Sequence, residues 1–181
     1  MFEWMVSTGL AHWVDESPWA YPFLLTVHGL GMAVVVGLTA MTGLRILGFP
    51  AKIPLGAYRG TLPWLVWAFI GNFLSGLVLF VHDAVALAGN VSFQVKVASL
   101  VVGVAVLWRM YSHVVIPAWR AETATGAVET EARPGVVIDG SGVVAWVIPR
   151  SGKALAVVAI LIWWLSVIVS GRLVAYLAAA A

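Results

Sequence analysis

Four stretches of this chain are too long and too apolar to rest in water, and they decide what it can fold into. They fall near residues 21–47, 62–88, 93–117 and 153–177, each long enough for the roughly 20 apolar residues that cross a hydrocarbon core. In lipid the backbone must satisfy its own hydrogen bonds, so each stretch is expected to be a helix. The mean hydropathy of +0.99 and a charged share of only 10% extend the same conclusion to the whole chain, because soluble domains carry about a quarter charged residues. The expected fold class is all-α integral membrane: a single domain forming a four-transmembrane-helix bundle, with no feature that would read nucleic acid.

Smaller signals set the boundaries. Pro63 falls in the first turn of the second span, where a missing N–H costs nothing. Pro117 is expected to end the third span, because proline cannot continue a helix. Residues 2–14, with Trp4 and Trp13, read as a short amphipathic helix lying in the membrane interface. The loop 118–152 contains VVIDGSGVVAWVI, two β-runs around an Asp-Gly turn, and predicts a small cytoplasmic β-hairpin. The opening residues lack a basic start and a long apolar core, so no cleaved secretory signal is expected. The absence of cysteine excludes disulfides and thiolate-held metal or iron–sulfur centres on this chain.

Orientation follows from the loops. The first carries Arg45, Lys52 and Arg59 without an acid, and the third carries Arg120, Arg133, Arg150 and Lys153 among four acids. The opposite side has Glu3, Asp15, Glu16 and a tight AGNVS turn. The positive-inside rule therefore puts loops one and three in the cytoplasm. In a bacterial inner membrane both termini of this multi-pass chain are then periplasmic.

Ionisable residues inside spans are costly and are functional candidates by default. His28 lies about seven residues below the outer surface along the first span, and His82 about six along the second. At 1.5 Å per residue both are expected roughly 10 Å deep. Asp83, Lys96 and Arg172 fall in the same outer layer. Two imidazoles at one depth with two cations above them suit a haem, whose iron takes axial nitrogens and whose propionates take cations. His28 and His82 are thus expected as cofactor-binding ligands of one haem b, with Lys96 and Arg172 on its propionates. Gly29, Ala33 and Gly37 form a small-residue stripe expected to let helices approach closely.

The residues WAYPFLLTVHGLGMAVVVG, LRILG and GLVLFVHDAVALAGNVSFQVK resemble a family of uncharacterised bacterial four-span inner-membrane proteins. They are distantly similar to the copper-resistance D proteins and to four-helix membrane b-type cytochromes, in which bundle histidines hold haem. The resemblance implies electron transfer with a periplasmic redox protein or quinone, as a component of an oxidoreductase. The chain departs from those patterns: it has one matched histidine pair, and its five methionines are scattered rather than clustered for copper. Two other readings stand beside haem. His28 and His82, with Asp83, would bind copper or zinc directly in a metal-handling protein, since imidazole nitrogen suits both metals. Alternatively the chain is a structural subunit of a homo-oligomer or larger membrane complex.

Overall fold

The computed structural model describes residues 3–49, 53–125, 136–138, 144–146 and 148–168. Two short helices, α1 (Glu3–Val6) and α2 (Gly9–Glu16), precede the long ones. The α2 helix starts where the Thr8 side chain accepts a hydrogen bond from the Ala11 amide, an N-cap that satisfies one of its free donors.

The first long helix, α3 (Ala20–Leu47), ends because Gly48 takes φ 106°, a left-handed conformation. That turn lets the Gly48 amide reach the Arg45 carbonyl and the Phe49 amide reach Leu44, which closes the helix end. A 3-10 helix over Leu55–Thr61 leads into α4 (Leu62–His82), with proline in its first turn as expected. The buried Trp119 indole pins this connector by donating to the Leu55 carbonyl at 2.8 Å.

The second span does not run on to residue 88. Asp83 leaves the helix at φ −113° and ψ 29°, and α5 (Ala84–Ala88) starts beyond it. Aspartate is a poor residue for a helix interior because its short polar side chain competes for backbone hydrogen bonds, and His82 is the last residue of α4.

Nor does Pro117 stop the third span. The α6 helix (Val91–Met110) passes through a π-helical turn, Tyr111–Val115, into α7 (Ile116–Thr125). Within that turn the Ile116 amide reaches back five residues to the Tyr111 carbonyl. The widened turn absorbs the bond that Pro117 cannot make and relieves its ring from the preceding carbonyls.

Beyond the loop, β1 (Val136–Ile138) and β2 (Val144–Trp146) pair antiparallel, Val137 opposite Ala145. Then α8 (Arg150–Ile168) packs on both α3 and α6, while α3 also packs along α4. Three helical segments, Ala20–Leu47, Leu55–His82 and Val91–Ala121, are long and apolar enough to cross a membrane. They point to a lipid bilayer as the surroundings. The expected fourth span is described as far as residue 168, and its remainder, with Arg172, lies outside the described residues.

The core gathers Val35, Ile46, Leu65, Met110, Val115, Ala156 and Trp163, all nearly or fully shielded. On α3 the buried residues Val35, Thr39, Thr42 and Ile46 recur at three- and four-residue steps, which fixes the inward face. The expected small-residue stripe is not on it. Gly29, Ala33 and Gly37 are exposed, and nothing stands within 4 Å of a side chain added at Gly29 or Gly37. The close approach uses Gly31 instead, where an added Cβ would meet the Ala68 carbonyl at 2.8 Å. Packing chose a rotation of α3 that the spacing of its small residues does not specify.

Candidate functional site

His28 on α3 turns inward against α4. Its Nδ1 lies 2.9 Å from the backbone oxygen of Asn72. A carbonyl only accepts, so Nδ1 carries the proton and donates to it. In the neutral ring Nε2 is then a bare acceptor, and it points at the ammonium of Lys96, 3.2 Å away on α6. Ser75 Oγ stands 3.4 Å from Nδ1 and donates to the Gly71 carbonyl at 2.7 Å, closing the wall on that side.

The approach depends on a glycine. A Cβ at Gly76 would sit 2.8 Å from His28 Cε1, so any larger residue there moves the imidazole off the α4 backbone. Asn72 adds a polar atom to the same wall: its Oδ1 is buried with no hydrogen-bond partner among the described residues. Lys96 is half-buried and has no carboxylate within ion-pair distance among the described residues. It is directed at the His28 imidazole. A charged residue at the membrane centre costs on the order of 3 kcal/mol, which the imidazole lone pair offsets in part.

His82 lies elsewhere. Its Nε2 is 2.8 Å from Asp15 Oδ1 on α2, and its Nδ1 is 3.9 Å from Asp83 Oδ2. Tyr21 of α3 covers the ring at a centroid distance of 5.7 Å. Asp83, expected in the same layer as Lys96, follows the helix end, its carboxylate 3.9 Å from the imidazole before it. His113 is exposed and bonded to its neighbour Ser112.

The expected shared level of His28 and His82 is corrected by both helices. On α4, His28 faces Gly76 and Asn72, so His82 is at least six residues, about 9 Å, farther out. On α3, His82 meets Tyr21, seven residues or about 10 Å outward of His28. The two imidazoles are stacked along the bundle in series and do not face each other. The residues therefore do not fit a bis-histidine haem. Both His28 nitrogens have protein partners, its ring lies on the α4 backbone, and His82 is a layer away beside two carboxylates. A metal ion on the same pair meets the same objection, and no group of three or more His, Asp or Glu among the described residues has metal-binding geometry. Of the four expected cofactor-binding residues, the structure brings together His28 and Lys96.

No protein-family model, curated protein or solved structure matches the chain. Its site has to be read from its own geometry.

Sequence reasoning missed Asn72, Gly76 and Asp15. Gly76 carried a signal, a glycine one residue beyond Ser75 in an otherwise bulky apolar run, but nothing said which helix it faced.

Proposed function

We propose that this chain is a four-span protein of the bacterial inner membrane whose His28–Lys96 pair takes up and releases protons in the outer half of the bundle. Both termini are periplasmic, and the 118–152 loop with its hairpin is cytoplasmic. The pair supplies the proton to a proton-coupled process in the membrane.

The observation that carries this reading is the 3.2 Å contact between Lys96 Nζ and His28 Nε2. Two nitrogen bases share a hydrogen there, in partly buried surroundings. The Asn72 carbonyl holds the ring in one tautomer, so the free lone pair is the one aimed at the ammonium. Protonating both groups places two cations side by side in a weakly screened environment, which like charges oppose. The pair therefore titrates as a unit rather than as two independent groups. Ionisable residues inside membrane spans are candidates for proton relays and ion paths. A proton also needs no cavity beside it, in contrast to haem.

The test is nitrogen NMR of the purified protein with labelled histidine side chains, followed through pH. His28 Nδ1 is expected to remain protonated throughout while Nε2 gains and loses its proton, with a midpoint that changes in Lys96→Met. An identical His28 titration with and without the lysine removes the proposal. An absorption spectrum of the same sample, oxidised and then reduced, checks the haem alternative. A Soret band lost in both His28→Ala and His82→Ala would restore it.

A further inference from the structure

We infer that His82 is the outer proton port of the partly buried pair, passing protons between the periplasmic surface and His28–Lys96. The inference rests on the proton-exchange reading of that pair and adds the route by which the pair is reached.

Three observations place His82 in this role. It stands about 9–10 Å outward of His28 along both α3 and α4, so it lies between that residue and the outer surface. Its two nitrogens see different surroundings. Nε2 is hydrogen-bonded at 2.8 Å to Asp15, a carboxylate 60% exposed to solvent. Nδ1 is buried and makes no hydrogen bond among the described residues, with Asp83 Oδ2 too far for one at 3.9 Å. A buried ring nitrogen without a partner is uncommon. One nitrogen of the imidazole is thus bonded to an exposed acid, while the other is shielded from solvent and unpaired among the described residues, with a second exposed carboxylate, Asp83, beyond bonding distance.

The titratable groups facing this ring are Asp15 from α2, Tyr21 from α3 and Asp83 beyond the end of α4. Glu3 and His12 line a cleft with Val6, Ser7 and Val85. The cleft places further proton-exchanging groups on the short helices that pack against α4.

The step involves protons alone. At rest the Asp15 carboxylate can only accept, so His82 Nε2 carries the hydrogen between them and Nδ1 is the free lone pair. In release, Nδ1 takes a proton from the Lys96 ammonium or the His28 imidazolium, through water, and the ring becomes imidazolium. Nε2 then hands its hydrogen to Asp15, which loses it to the periplasmic solution. The neutral ring left behind carries its hydrogen on Nδ1 and regains the resting tautomer by ring flip or exchange. Uptake runs the same sequence backwards. No bond other than N–H and O–H changes, and no oxidant or reductant is consumed.

The experiment is a photoacid pulse on the full-length protein in detergent, with protonation of the His28–Lys96 pair followed by time-resolved infrared spectroscopy. Wild type, His82→Gln and Asp15→Asn are compared, each with and without added free imidazole. Loss of His82 is expected to slow protonation of the pair by on the order of tenfold to a hundredfold. The same end-point is reached later, and free imidazole restores the rate. Asp15→Asn, which retains the ring, is expected to slow uptake less. Equal rates in wild type and His82→Gln overturn the port. So does a slowing that free imidazole leaves unchanged, because the residue is then structural. If the wild-type pair takes up no proton at all, the proton-exchange reading itself fails, a result the His82 comparison cannot imitate.

Discussion

At the scale of single residues, the decisive choices are glycines with something close to them. Gly31 and Gly76 both receive a neighbour, but of different kinds. An added Cβ at Gly31 meets the Ala68 carbonyl and Asn72 Cβ at 2.8 and 2.9 Å, atoms on or next to the α4 backbone. At Gly76 it meets the far end of a side chain, the His28 ring, also at 2.8 Å. A helix cannot yield as a side chain can. Gly31→Ala is therefore expected to destabilise the bundle by about 1–3 kcal/mol, while Gly37→Ala, in open space, changes little. Unfolding of the two variants in one detergent decides this, and equal stabilities would show that α3 and α4 are not in close contact at Gly31. Gly76→Ala is expected to cost less stability but to break the hydrogen bond from His28 Nδ1 to Asn72. The histidine nitrogen spectrum should register that loss even where the melting curve hardly moves.

At the scale of elements, two interruptions matter more than the helices they interrupt. Asp83 ends α4 and so puts His82 at a helix terminus, where α2 and its Asp15 can reach the ring. The π-helical turn before Pro117 keeps the third span going to Trp119, whose indole holds the 3-10 connector through Leu55. Trp119→Phe keeps an aromatic ring but removes that donor. It is expected to cost about 1 kcal/mol, and amide exchange should quicken across Leu55–Thr61 more than in the middle of α4. Unchanged exchange there would mean the connector is held by its apolar contacts alone. Thr42 and Tyr111 lie beside the same turn, with their hydroxyls 3.4 Å apart inside the bundle.

At the scale of the whole molecule, the arrangement is layered along the bundle. One end carries Asp15, Tyr21, His82 and Asp83, and His28 with Lys96 lies one layer farther in along the bundle. The opposite end carries the Arg45 side chain, which donates to the Ile53 carbonyl. The chain has no cysteine, so single cysteines report topology without background. Ser7→Cys and Gly89→Cys are expected to react in intact cells with a thiol reagent that cannot cross the inner membrane. Gly60→Cys is expected to react only after permeabilisation. The reverse pattern would invert the orientation and put the proposed port on the cytoplasmic side.

Much of this was legible beforehand, for physical reasons that can be named. Three apolar stretches became long helices because lipid leaves a backbone few other ways to bond itself. His28 and Lys96 stood out because an ionisable group in such a stretch is expensive. What stayed hidden was azimuth and register. Gly29, Ala33 and Gly37 look like a packing stripe in the sequence, yet the helix turns Gly31, Val35 and Thr39 inward. Small residues permit close contact without requiring it, and the neighbours decide which permission is used. The surroundings of His82 depended on a helix end, and α4 ends at residue 82, just before Asp83, rather than at 88. The sequence alone determined that this chain is helical, apolar and marked by a few costly polar residues. Only the tertiary structure decided which of them meet, because a contact between helices depends on rotation and offset. Those are settled by the packing of all the surfaces together, and they set His28 against Lys96 with His82 a layer above.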